Sequence, residues 1–132
     1  MHPEHDLGRL LAGLSPERHP GAYVYATLPE DQPLPAGLDP VVTVREPEGR
    51  TLVVTREEAH AHGLTSTYPA GWITLRVHSA LDAVGLTAAV SALLADAGMS
   101  CNVVAGFHHD HLFVPEARAD EAVTLLRTAA AR

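Results

Sequence analysis

Three things are scarce or missing in this chain: basic residues, cysteine and long apolar runs. Nine Lys and Arg stand against 16 Asp and Glu, a formal charge of -7. Such a balance repels a phosphate backbone unless the basic residues gather into a stripe, and no stripe occurs, so nucleic acid is not an expected partner. No run approaches the roughly 20 apolar residues that span a bilayer, which argues against a membrane protein. The opening "MHPEHDLGRL" lacks the charged-then-apolar layout of a secretory leader, and the expected location is the cytoplasm. Cys101 stands alone and has no internal disulfide partner, in keeping with a reducing compartment. Its apolar neighbours make it a small hydrophobe rather than a nucleophile.

What is present is enough to fold. With 132 residues, 46% of them hydrophobic and 19% charged, the chain suits one domain or two very small subdomains sharing a core. The first half is rich in proline and turns. "GAYVYATL" (21–28) has the pattern of a strand, and "VVTVRE" and "TLVVT" joined by "PEGR" have that of a hairpin. Thr55 followed by Glu58 has capping-box spacing, which predicts a short helix over "TREEAHAHG" ending at Gly63. His60 and His62 lie two apart there, on different sides of the helix, and are expected to be solvated.

"STYPAG" (66–71) is dense in turn-formers and predicts a break, with a boundary near residue 70. After it, Ile73, Leu75 and Val77 alternate with Trp72, Thr74, Arg76 and His78, a strand whose Ile73 face is buried. A helix follows over about 83–97, closed by Gly98. "SCNVVAGF" and "HLFVP" are strands, and "EARADEAVTLLRTAAAR" is a helix with acids early and arginine late, the order its dipole favours. The second half is therefore β-α-β-β-α, and the class is α+β.

The polar run in "GFHHDHLFVP" then falls at or beside a hairpin tip. Adjacent strand residues point to opposite faces, so at most His109 with His111, or His108 with Asp110, share a side. Two ligands do not make a zinc site, and no further ligand motif occurs, so no metal or other cofactor is expected. No glycine-flanked nucleophile elbow accompanies the serines, and the chain is not expected to be an enzyme. For His108, His109 and His111 the expectation is a solvated turn. Asp110 can cap backbone N–H groups or face a ligand's ammonium group. Gly85, at a strand-to-helix junction, lets a small molecule approach the backbone, and the helix amides there favour a carboxylate. The pair would suit an amino acid.

"WITLRVHSALDAVGLTAAVSALLADAGMSCNVVAGFHHDHLFVP" resembles the ACT-domain family, in particular small bacterial proteins with two ACT-like modules. The likeness extends over 72–128, and "GAYVYATL...VREPEGRTLVV" resembles a first, degenerate module. It implies two ferredoxin-like βαββαβ modules, over 1–70 and 71–132, each an antiparallel sheet with helices on one face. It also implies a regulatory module that binds an amino-acid effector through Val84, Gly85 and Leu86 at the turn and Gly106, Phe107 and Asp110 at the hairpin. The alternative is a protein-protein interaction module without a ligand, its partner a second copy or an unknown regulated protein. The second module ends on its helix and lacks a last strand, so "LGRLLAGL" is expected to fold back as an exchanged strand and interlock the two.

Overall fold

The computed structural model describes residues 7–77 and 85–131. Its elements are α1 (Leu7–Ala12), β1 (Pro16–Leu28), β2 (Val42–Glu46), β3 (Gly49–Thr55), α2 (Arg56–Ala61), β4 (Ser66–Leu75), α3 (Leu86–Asp96), β5 (Asn102–Ala105), β6 (Asp110–Pro115) and α4 (Ala119–Ala130). They gather into two compact units. The larger combines the chain up to Pro20 with the chain from Gly71 onward, and the smaller is Gly21–Ala70. Two strands, β1 and β4, cross the boundary and give residues to both.

In the larger unit the strand order is β1-β4-β6-β5, and β5 and β6 are antiparallel from Asn102↔Phe113 to Ala105↔Asp110. The two-residue period of a strand sends Ile73 and Leu75 of β4 to the same side as Leu112 and Val114 of β6. There they meet Leu86, Val90 and Leu94 of α3 and Ala122 and Leu126 of α4, all nearly or wholly buried. The helix faces follow from the 3.6-residue period, since 86, 90 and 94 recur four apart. A tight turn with Gly98 at φ 74 closes α3, as its position in the sequence indicates. Arg118 adds donors there: Nη2 to the Ala97 carbonyl at 2.8 Å and Nη1 to that of Gly98 at 3.1 Å.

The expected exchanged strand is corrected. "LGRLLAGL" is not extended: residues 7–12 form α1, and Leu10 and Leu14 are buried in the larger unit's core. Leu11 also packs against that core, and a helical turn can present Leu10 and Leu11 to it together, whereas a strand would send neighbouring residues to opposite faces. The strand comes just after, as Pro16–Pro20 of β1, which stands beside β4 where a final strand of a ferredoxin-like module would stand. Two prolines, one of them before Gly21 at φ 88, hide it from a strand pattern.

The smaller unit has β1, β2, β3, α2 and the start of β4. β3 pairs antiparallel with β1 (Tyr23↔Thr55 to Leu28↔Arg50) and with β2 (Val42↔Val53 to Glu46↔Gly49), leaving Pro47 and Glu48 as the hairpin turn. Val24, Ala26 and Leu28 meet Leu38, Leu52, Val54 and Ala59 in its core. The capping box forms as the spacing requires: Glu58 N donates to Thr55 Oγ1, and Thr55 N to Glu58 Oε1, both at 3.1 Å. Asp39 N also donates to Glu58 Oε2 at 2.9 Å. Burial opposes ionisation of Glu58, but the amides of Asp39 and Thr55 outweigh it and its carboxyl titrates below its ordinary value. His60 and His62 are exposed.

"STYPAG" is a second correction, since it is strand and not a break. Its turn-formers are absorbed as a local distortion: Tyr68, before Pro69, has φ 58, and Gly71 lies so close to Ala119 that a Cβ would collide with the Ala119 methyl.

Candidate functional site

The hairpin between β5 and β6 holds four residues, 106–109, between the paired Ala105 and Asp110. Gly106 N donates to the His109 carbonyl at 2.8 Å and closes the turn. A Cβ on Gly106 would sit 2.8 Å from that carbonyl oxygen and 3.2 Å from His111 Nε2, so the backbone approach is open to glycine alone. Phe107 at the tip is 78% exposed, its ring edge-on to His108 at 4.9 Å. Asp110 opens β6, half-buried. Gly106, Phe107 and Asp110 are thus brought into one turn.

Gly85 and Leu86 begin α3. Gly85 is the N-cap with φ 103, a left-handed backbone that favours glycine, and among the described residues no side chain caps the helix. Its carbonyl accepts from Ala89 N at 2.8 Å, while the helix's first amides have no capping side chain among the described residues. Leu86 is buried in the core and contributes through its backbone. Val84 lies outside the described residues. The C-terminus of α3 is tied to Arg118, just past the end of β6. The helix therefore runs back toward the end of the sheet where β6 begins and the hairpin lies.

On the face of β4 opposite Ile73 and Leu75 is a polar cluster. Trp72 Nε1 donates to His111 Nδ1 at 3.2 Å, and Thr74 Oγ1 lies 3.0 Å from that nitrogen and 2.7 Å from His19 Nε2. The His19 ring stacks on the Trp72 indole at 3.5 Å, and Phe113 stacks on the indole's plane at 6.3 Å. An indole N–H can only donate, so Nδ1 of His111 carries the lone pair and the ring is neutral. Burial, then the neighbouring His109 and His19, hold the His111 pKa below its ordinary value, with Asp110 pulling the other way. Burial likewise depresses His19, against the pull of Glu17.

This cluster corrects the expectation for His111, which is a half-buried strand residue rather than part of a solvated turn. His108 is exposed, while His109 is half-buried with an Nδ1 that is buried and lacks a hydrogen-bond partner among the described residues. Trp72 and Thr74 alternate with buried residues and look solvent-facing in the sequence, yet Thr74 is 2% exposed. Only the strand order, which brings His19 beside them from 53 residues away, reveals the group. Among the described residues no three His, Cys, Asp or Glu side chains converge as a metal requires. Burial pushes the Cys101 thiol up to about 11, so it is a thiol and not a thiolate at neutral pH.

Two family models match the chain, each described as an ACT domain, over residues 2–71 and 67–128. Among solved structures the chain is similar to a protein of unknown function from Vibrio cholerae, 45% identical, with 94% of this chain and 95% of that one covered and a TM-score of 0.85. A protein from Agrobacterium tumefaciens is 22% identical over 89% of each chain, with a TM-score of 0.75. The regulatory subunit of aspartate kinase from Thermus flavus is 12% identical, covering 89% and 96%, with a TM-score of 0.59. These last two likenesses speak to the fold alone. No curated protein matches. No helix among the described residues is long and apolar enough to cross a membrane.

Proposed function

This chain belongs to the ACT-domain family, with two modules in tandem, and from that premise we propose that it is a non-catalytic cytoplasmic module that binds an amino-acid effector and transmits its presence to a partner. ACT modules are regulatory, ligand-binding modules in general; the amino acid is our step beyond that. The sequence modules are taken as 1–70 and 71–132.

The observation that carries the proposal is the start of α3. Its Gly85 cap leaves the first amides without a capping side chain among the described residues, and such a terminus, with its positive dipole, favours a carboxylate. Gly85 and Leu86, with Val84 before them, would hold the effector's carboxylate through backbone N–H groups. Asp110 would receive the ammonium group by a charge-assisted hydrogen bond. Gly106 would let the ligand lie against the turn, with Phe107 over it. The buried His109 Nδ1 in this turn, which lacks a hydrogen-bond partner among the described residues, adds a polar group that a ligand could satisfy.

The signal would pass to a second copy of the chain or to a regulated protein. β2 is last in the strand order, and its Val44 is 47% exposed; an edge of this kind pairs readily with another chain. A thermal-shift screen with the proteinogenic amino acids tests the proposal. An effector at about 100 times its Kd adds about 2.7 kcal/mol of stability. A raised melting temperature with one amino acid or a related group supports binding, and no shift with any of them refutes it.

A further inference from the structure

The larger unit has a second concavity that the proposed effector site does not use. It is an open cleft of about 560 Å³ between the start of β1, Arg76 after β4, and the exposed side of α4. Its volume falls within the range of small-molecule sites. Three of the chain's nine basic side chains, Arg18, Arg76 and Arg127, line it, with the carboxylates of Glu17 and Asp120. In an acidic protein that is a local concentration of positive charge.

Two of the arginines are neutralised. Arg18 Nη1 pairs with Asp120 at 2.7 Å and Arg76 Nη2 with Glu17 at 2.5 Å. Arg127 has no ion-pair partner among the described residues. It stands one turn beyond Thr124 and seven residues beyond Asp120, so the three share one side of α4. Arg18 carries a second unmet donor: its Nε is buried with no acceptor among the described residues. A guanidinium's donors form a planar fan matched to carboxylate and phosphate oxygens. Among the described residues two of those fans are partly filled, by the Asp120 carboxylate, which is largely exposed, and by that of Glu17, which is half-exposed, and such pairs are weakly held.

We propose that this cleft binds a small organic anion, a carboxylate or phosphate compound, with Arg127 as its principal anchor, Arg76 and Arg18 as flanking donors and the Thr124 side completing the wall. A ligand here and an effector at the hairpin end would touch different residues.

The probes are inorganic phosphate and malonate, titrated against the full chain at ionic strength matched with sodium chloride, with backbone amide NMR shifts and melting temperature as readouts. One of the two anions should give saturable shifts at residues 15–18, 76 and 120–127 that chloride does not. Which of the two binds separates a phosphate from a carboxylate ligand. Arg127→Gln should weaken that binding about tenfold or more without lowering the melting temperature of the free protein. Asp110→Asn should leave it unchanged, so that loss of effector binding and loss of anion binding are read apart. The proposal is overturned if neither anion exceeds chloride, or if Arg127→Gln binds as the wild type does.

Discussion

The indole N–H of Trp72 reaches Nδ1 of His111 at 3.2 Å, a bond that exists only while that nitrogen is unprotonated. The proton on His111 is thereby tied to the joining of β4 and β6, and through Thr74 to His19 on β1.

The pKa values of His111 and His19 are both depressed in the folded chain, while in the unfolded chain each titrates near 6.5. Well above about pH 6.5 both states hold these rings neutral and the contribution to stability is fully present. As pH falls, the unfolded chain takes up protons the folded chain resists, so stability drops through the folded pKa values. Urea midpoints should therefore fall between about pH 7.5 and about pH 5.5, with Trp72, the only tryptophan, as the fluorescent probe. His111→Asn keeps an acceptor without the titration and should flatten the dependence. An unchanged slope would remove His111 as its source.

Leu10 is wholly buried among residues of the second half of the chain. Leu10→Ala should cost about 2–5 kcal/mol, measured by denaturant unfolding. A fragment of residues 71–132 lacks Leu10, Leu14 and the β1 residues beside β4, and should not melt cooperatively. A soluble, cooperatively melting fragment would show that the N-terminal segment is dispensable to the larger unit.

Gly71 and Ala119 touch where β4 meets the start of α4. Gly71→Ala should destabilise by about 1–3 kcal/mol through overpacking. Ala119→Gly in the same chain should recover part of that loss, because the two sites share one space. Additive costs in the double variant would place the strain elsewhere.

The parts of the fold legible in the sequence are those where one local pattern decides. The hairpin at Pro47 and Glu48, the Thr55 and Glu58 capping box, α3 before Gly98 and the β5–β6 turn follow from turn chemistry and period alone. "LGRLLAGL" is expected as a strand because a short apolar run fits a strand or a helix alike, and the packing of Leu10 together with Leu11 against one core belongs to the helix. The strand Pro16–Pro20 carries two prolines, and "STYPAG" looks like a turn because neither its left-handed Tyr68 nor the closeness of Gly71 to Ala119 is a local property. The proposed effector residues came from resemblance and from the logic of glycine and carboxylate. The His19–Trp72–Thr74–His111 group could not be found that way, since its members meet only through the strand order.

The proposed effector site sets the ligand's ammonium group against Asp110, and calorimetric titration of the wild type and Asp110→Asn with the amino acid that raises the melting temperature tests it most directly. The substitution removes the charge at nearly constant shape, so the free protein's stability should barely change while binding weakens by about 1.5–3 kcal/mol. Equal affinity in the two proteins would contradict the account and leave Asp110 as a residue of the hairpin turn alone.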